Sequence, residues 1–252
     1  MSFSVPADAY DRFMGRYSTQ LSAKLADLAG VRGGQRVLDV GCGPGALTAE
    51  LVGRVGPSAV AAVDPSEPFV AAARERHPEV EVRQGAAEEL PFPDATFDAA
   101  LAQLVVQFMS DPGAGVAEMR RVTQPGGIVA ACVWDHGGGG GPLSPFWEAA
   151  RELDGGRPGE SRGVGANAGD LAALFASAGL SAVEETSLSV VVEHPTFEEW
   201  WEPYELGVGP AGSYVSGLAP ERRARLREHC RSRLPDPPFT IDARAWAARG
   251  LA

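Results

Sequence analysis

Val37-Leu38-Asp39-Val40-Gly41-Cys42-Gly43-Pro44-Gly45-Ala46 is the stretch that most restricts what this chain can become. A short apolar run meets three glycines at alternating positions, and Leu47, Leu51 and Val55 follow at helical spacing. The pattern predicts a buried strand, a tight turn and a helix in succession. Glycine lets the chain turn sharply and brings its backbone against a ligand with no Cβ in the way. The spacing also fits a dinucleotide-binding turn, with Ala46 in the last small position, so the glycines alone do not choose the ligand.

Charge narrows the choice. Asp39 stands two residues before Gly41, at the mouth of the turn, where it repels a pyrophosphate and welcomes an ammonium group. Asp64 closes the next apolar run, Ala59–Val63, and lies 23 residues after Gly41, the distance at which one βαβ unit presents a carboxylate to a ribose diol. The expected ligand has an adenosine-like sugar, an amino-acid tail and no phosphates. S-adenosylmethionine fits.

Four motifs then stand in one order. Val37–Gly45 and Val63-Asp64-Pro65-Ser66 come first, followed by Gln84-Gly85-Ala86-Ala87-Glu88-Glu89-Leu90-Pro91-Phe92 and Arg120-Arg121-Val122-Thr123-Gln124-Pro125-Gly126-Gly127. Over roughly residues 10–134 the chain resembles the class I S-adenosylmethionine-dependent methyltransferases, of the type 11 small-molecule kind. The resemblance implies a Rossmann-like, doubly wound α/β sheet of seven strands, mostly parallel with an antiparallel last strand. It implies a cofactor site of Asp39, Gly41, Cys42, Gly43, Gly45, Asp64, Pro65, Ser66, Ala86, Ala87, Glu88 and Gln103. The family often has Asp or Asn after Gly85 to read adenine; Ala86 stands there, which leaves Glu88 or backbone for that contact.

The segment 1–30 is dense in aromatic and basic groups around Tyr10–Tyr17, and in similar methyltransferases it forms a helical lid. Arg16 is the residue expected at the methionine carboxylate, since a guanidinium can pair with it bidentately. Glycines at 137–141, 155, 156, 159, 163 and 165 mark residues 135–166 as a flap. About forty residues separate the expected sixth strand, Thr186–Val192, from the seventh, Phe239–Ala247. There Thr196-x-x-Glu199 reads as a capping box opening an aromatic helix, and Glu221–Leu234 as a second helix. Residues 195–235 are thus expected to form a helical cap over the acceptor, with Gln107, Trp134, Trp201 and Tyr214 lining its pocket. His136, after the fifth strand, is the one candidate base.

Composition excludes several alternatives. A net charge of −11, from 33 acidic and 22 basic residues, opposes a nucleic-acid or anionic-membrane partner. Cys42, Cys132 and Cys230 are widely spaced, which predicts neither a disulfide framework nor a metal site, and the chain reads as a cytoplasmic protein. No apolar run approaches the ~20 residues that span a bilayer. The expected function is methyl transfer to a small molecule, by a monomer or homodimer. An NAD(P)-dependent oxidoreductase is the first alternative, opposed by Asp39 and by the lack of a Tyr-x-x-x-Lys pair, Lys24 being the only lysine. A non-catalytic S-adenosylmethionine-binding protein is the second.

Overall fold

The computed structural model describes residues 7–154 and 163–252. Helix α1 (Ala7–Tyr10) runs through a π-helical turn, Asp11–Gly15, into α2 (Arg16–Leu28). Leu21 and Leu25 bury one face of α2 completely, and Gly30 ends it at φ +65°. Strand β1 (Val37–Val40), α3 (Ala46–Val55), β2 (Val60–Asp64), α4 (Glu67–Arg76) and β3 (Glu81–Gln84) follow in βα alternation. Then come β4 (Phe97–Gln103), α5 (Pro112–Val122), β5 (Thr123–Trp134), α6 (Ser144–Asp154), α7 (Asp170–Ser177) and β6 (Ser181–His194). Three helices, α8 (Phe197–Trp201), α9 (Gly209–Ser216) and α10 (Pro220–Arg233), precede β7 (Phe239–Leu251).

The seven strands lie in the order β3-β2-β1-β4-β5-β7-β6, with β7 antiparallel to both neighbours. This is the sheet the sequence led us to expect. Every residue of β1 and β2 is buried, which is why both read as largely apolar runs instead of alternating ones, broken only by Asp39 within β1 and Asp64 at the end of β2. Leu47, Leu51 and Leu25 cover one face, and Val116, Met119, Leu171 and Phe175 cover the other. The chain order reverses at β1, between β2 and β4, and this opens a crevice beyond the carboxyl ends of those strands.

Two boundaries differ from expectation. Pro125-Gly126-Gly127 reads as a turn before the fifth strand but lies inside β5 as a bulge. Phe97 pairs with Thr123, and Ala99 already pairs with Ile128. Gly126 takes φ +79° there, and a Cβ on Gly127 would lie 2.7 Å from the Asp98 carbonyl. Strands β6 and β7 also run past the predicted 186–192 and 239–247, because each finds a full-length partner in the other.

Candidate functional site

The turn after β1 is fixed before any ligand arrives. Gly41 and Cys42 both donate their backbone N–H to the Val63 carbonyl, at 2.7 and 3.0 Å. Gly41 has φ +71°, and a Cβ there would sit 2.4 Å from Val105 Cγ2. At Gly43, φ is +53°, but a Cβ would meet no protein atom within 4 Å. Gly45 does different work: its bare Cα makes room for the His77 ring, 3.0 Å from where a Cβ would stand. Arg76 Nη1 holds the Pro44 carbonyl at 3.1 Å, and its Nη2 reaches Asp11 at 2.5 Å, tying the turn to the N-terminal helix.

Two carboxylates face the crevice. Asp64 Oδ2 accepts from Gly43 N and Oδ1 from Ser66 N, both at 2.8 Å, so each oxygen keeps a lone pair for a ligand. Burial raises the Asp64 carboxyl, opposed by those two backbone N–H groups. Asp39 is 1% exposed, and its Oδ2 accepts from Thr48 Oγ1 at 2.6 Å. Burial pushes its carboxyl up to about 7; the Thr48 hydroxyl opposes the rise and the Asp64 charge adds to it.

Around them lies a cavity of about 470 Å³. Asp39, Gly41, Cys42, Gly43, Asp64, Pro65, Ser66, Ala86, Ala87, Glu88 and Gln103 all line it. Glu88 also has another task, since its Oε1 accepts from Ser110 N at 2.7 Å and Asp111 N at 3.2 Å and so fixes the loop before α5. Tyr10 and Ser18 close the cavity from the N-terminal helix. Sequence reasoning missed both, because only the path of α1 and α2 across the crevice brings them there. Burial pushes the Tyr10 phenol up to about 12, so it stands protonated.

Other expected site residues lie elsewhere. Arg16 Nη1 meets His194 Nδ1 at 3.4 Å and its Nη2 meets Glu199 at 3.6 Å, outside the cavity lining. Since a guanidinium only donates, Nδ1 of His194 accepts, and Nε2 carries the proton toward the Tyr17 hydroxyl at 2.8 Å. Gln107 donates to the Leu104 carbonyl at 3.1 Å, and Trp134 packs edge-on against Tyr17 at 6.3 Å. Trp201 and Tyr214 belong to an aromatic cluster with Phe146, Phe197 and Tyr204, in which Phe146 stacks on Tyr204 at 4.4 Å. None of these four lines the cavity. Trp134 and Trp201 are buried, whereas Gln107 and Tyr214 are half-buried and Tyr214 lines a separate cavity of about 160 Å³. His136 is partly buried after β5 and also outside the lining, and burial takes its imidazole down to about 4.

The glycine run after β5 wraps a buried carboxylate. Asp135 accepts from Gly138 N, Trp246 Nε1 and the Arg244 guanidinium, while Gly140 N and Gly141 N bond its backbone carbonyl. A Cβ on Gly138 or Gly140 would come within 2.7 Å of the Asp135 carboxylate. Close approach, rather than hinge motion, accounts for these glycines. Of the rest of the expected flap, Gly155, Gly156 and Gly159 lie outside the described residues.

Residues 38–131 match the methyltransferase domain family. The chain carries a class I S-adenosylmethionine-dependent methyltransferase domain. The chain is similar to malonyl-[acyl-carrier protein] O-methyltransferase of Erwinia billingiae, 37% identical over 51% of this chain and 50% of that protein. It is also similar to phosphatidylethanolamine N-methyltransferase of Cereibacter sphaeroides, 39% identical over 48% of this chain and 60% of that one. The chain thus spans about half the length of the curated relatives it matches. The YcgJ protein of Bacillus subtilis has the same fold, with a TM-score of 0.58 at 20% identity over 93% of this chain and 97% of that chain. The methyltransferase domain therefore covers the glycine turn, both carboxylates and the loop after β4, while α8–α10 lie outside the matched residues.

Proposed function

We propose that this chain transfers a methyl group from S-adenosylmethionine to a small-molecule acceptor. The observation that carries the reading is the crevice itself: two buried carboxylates and a glycine turn with clear space before Gly43 meet in one cavity. Asp64 would hold the ribose hydroxyls, Gly41–Gly43 the methionine chain by backbone approach, Asp39 the ammonium group, and Ala86–Glu88 the adenine edge. When bound, the cofactor supplies an electrophilic methyl on a sulfonium, whose departure as a neutral thioether needs no acid from the protein. The chain's task is then placement, and orientation alone is worth ~7–11 kcal/mol. Among the described residues, no helix is long and apolar enough to cross a membrane, and no His/Cys/Asp/Glu cluster could hold a metal.

Calorimetry with S-adenosylhomocysteine and with NAD tests this reading. Tight binding of the first and none of the second is expected, and the reverse would overturn it. Asp64→Ala is expected to weaken S-adenosylhomocysteine at least tenfold, because hydrogen bonds to a charged group are worth ~1.5–3 kcal/mol each. Circular dichroism should still show a folded protein, and an unchanged Kd would remove Asp64 from the ribose role.

Asp39 makes binding pH-dependent. In the free protein its carboxyl titrates near 7, and an ammonium partner favours the charged form. Affinity is expected to fall by up to tenfold per pH unit below about 7 and to level off above it. The sign is opposite for stability without ligand. The folded protein binds this proton more tightly than the unfolded chain does, so stability falls as pH rises from the ordinary 3.8 toward about 7. Asp39→Asn should flatten both dependences; a binding profile that stays as steep in the variant would assign the titration to another group.

A further inference from the structure

The cofactor cavity holds three carboxylates and no cation to balance them. Asp39, Asp64 and Glu88 line it, whereas among the described residues no Lys, Arg or His does. Arg16, the guanidinium expected there, is turned to His194 and Glu199. Arg76 reaches the glycine turn, but its guanidinium is spent on the Pro44 carbonyl and on Asp11.

The neutral donors around the turn are committed as well. Gly41 N and Cys42 N both go to the Val63 carbonyl, Gly43 N to Asp64 and Gly45 N to the Cys42 carbonyl, while Pro44 has no N–H. Gln103 gives Nε2 to the Ser18 carbonyl at 3.1 Å and to Ser22 Oγ at 3.0 Å. The Tyr10 hydroxyl shares a hydrogen bond with Ser18. Thr48, in the first turn of α3, gives its hydroxyl and its backbone N–H to Asp39, so the positive end of that helix already faces an anion.

An amino-acid tail carries one charge of each sign, and this site treats the two unequally. The ammonium meets Asp39. The carboxylate meets no guanidinium or ammonium group and stands among like charges. Charge-assisted pairing is what makes carboxylate recognition strong, and burying a carboxylate without it is costly. Turned out to solvent, the carboxylate makes no bond to the protein at all.

We infer that the site recognises the tail through its ammonium alone and accepts adenosyl ligands that lack the carboxylate. This rests on the methyltransferase reading proposed above and deepens it by naming the ligand class: adenosyl thioethers and sulfoniums with a cationic tail. Methyl transfer does not call on the carboxylate, because the electrophilic carbon sits on the sulfonium at the other end of the tail.

Three thioethers test this by calorimetry. S-adenosylhomocysteine carries both charged groups, its decarboxylated analogue keeps an aminopropyl tail, and its deaminated analogue keeps a carboxypropyl tail. The aminopropyl analogue should bind within tenfold of S-adenosylhomocysteine or more tightly. The carboxypropyl analogue should bind at least tenfold more weakly, the least that a lost charge-assisted bond to Asp39 implies. A loss of tenfold or more for the aminopropyl analogue would place the carboxylate on the Ala46 and Leu47 N–H groups at the start of α3 and overturn the inference. A carboxypropyl analogue that binds within tenfold would overturn it too, since the ammonium would then go unread. Arg16→Ala should leave S-adenosylhomocysteine affinity unchanged. A tenfold fall in that variant that spares the aminopropyl analogue would show Arg16 turning in to the carboxylate, again against the inference. If the wild type does not bind S-adenosylhomocysteine, the methyltransferase reading fails instead.

Discussion

Gly43→Val is expected to remove S-adenosylhomocysteine binding, at least a hundredfold by calorimetry, from a protein that still folds. Gly43 sits at φ +53°, and a Cβ built there meets nothing within 4 Å. No neighbour would have to move, so the cost to the fold is the left-handed backbone, ~1–2 kcal/mol and somewhat more for a branched residue. For a chain of this length that is a fall of roughly 5 °C in melting temperature. Val would place its branches in the open space that the turn encloses with Asp64, and a hundredfold loss corresponds to ~2.7 kcal/mol. Gly41 offers the contrast, because a Cβ there would strike Val105 at 2.4 Å and damage the turn itself. A folded Gly43→Val protein that binds with wild-type affinity would show that the ligand does not run along this turn.

The parts of the fold legible in the sequence are those set by local pattern. Buried parallel strands need mainly apolar runs, and Val60–Val63 supplies one, as does Val37–Val40 apart from its buried carboxylate, Asp39. Asp111 before Pro112 is a helix-start pattern, and Asp111 Oδ1 accepts from Ala114 N at 3.0 Å at the start of α5. Thr196 likewise accepts from Glu199 N at 3.1 Å, though the Glu199 side chain faces Arg16 instead of completing the box. Helix α9 escaped notice because its Gly, Pro and Ser content reads as loop. Arg227 and Arg231 of α10 both reach Glu198 Oε1 and lie over the Phe197 ring, a contact between helices that helix periodicity does not encode.

The site divides in the same way. The glycines of the turn after β1 and Asp64 follow from spacing, since one βαβ unit fixes their separation, while Gln103 at the end of β4 follows from the family resemblance. Tyr10 and Ser18 depend on where a helix preceding the sheet crosses it, which no periodicity encodes. Arg16 was assigned by its chemistry, but Glu199, 183 residues further on, is the carboxylate it finds. The long-range contacts decided each of these, and a single sequence carries no direct record of them.

Trp201 shows the limit most clearly and carries the last prediction. An aromatic residue in a helical cap reads equally as pocket wall or as core, and only burial separates the two. Trp201 is 1% exposed and stacks near-parallel on Phe197 at 6.2 Å, with Phe146 and Tyr204 also against it. Its indole N–H has no partner, so ring packing holds it in place and no hydrogen bond is lost on truncation. Trp201→Ala is therefore expected to cost ~3–5 kcal/mol through lost burial and a residual cavity. That is a fall of roughly 10 °C in melting temperature for a chain this long. Trp201→Phe keeps an aromatic ring against Phe197 and should recover most of the loss. S-adenosylhomocysteine affinity, measured below the melting transition, should be unchanged in both, because Trp201 does not line the cofactor cavity. If Trp201→Ala instead melts like the wild type but loses turnover, the cap opens in solution and Trp201 is a pocket wall after all.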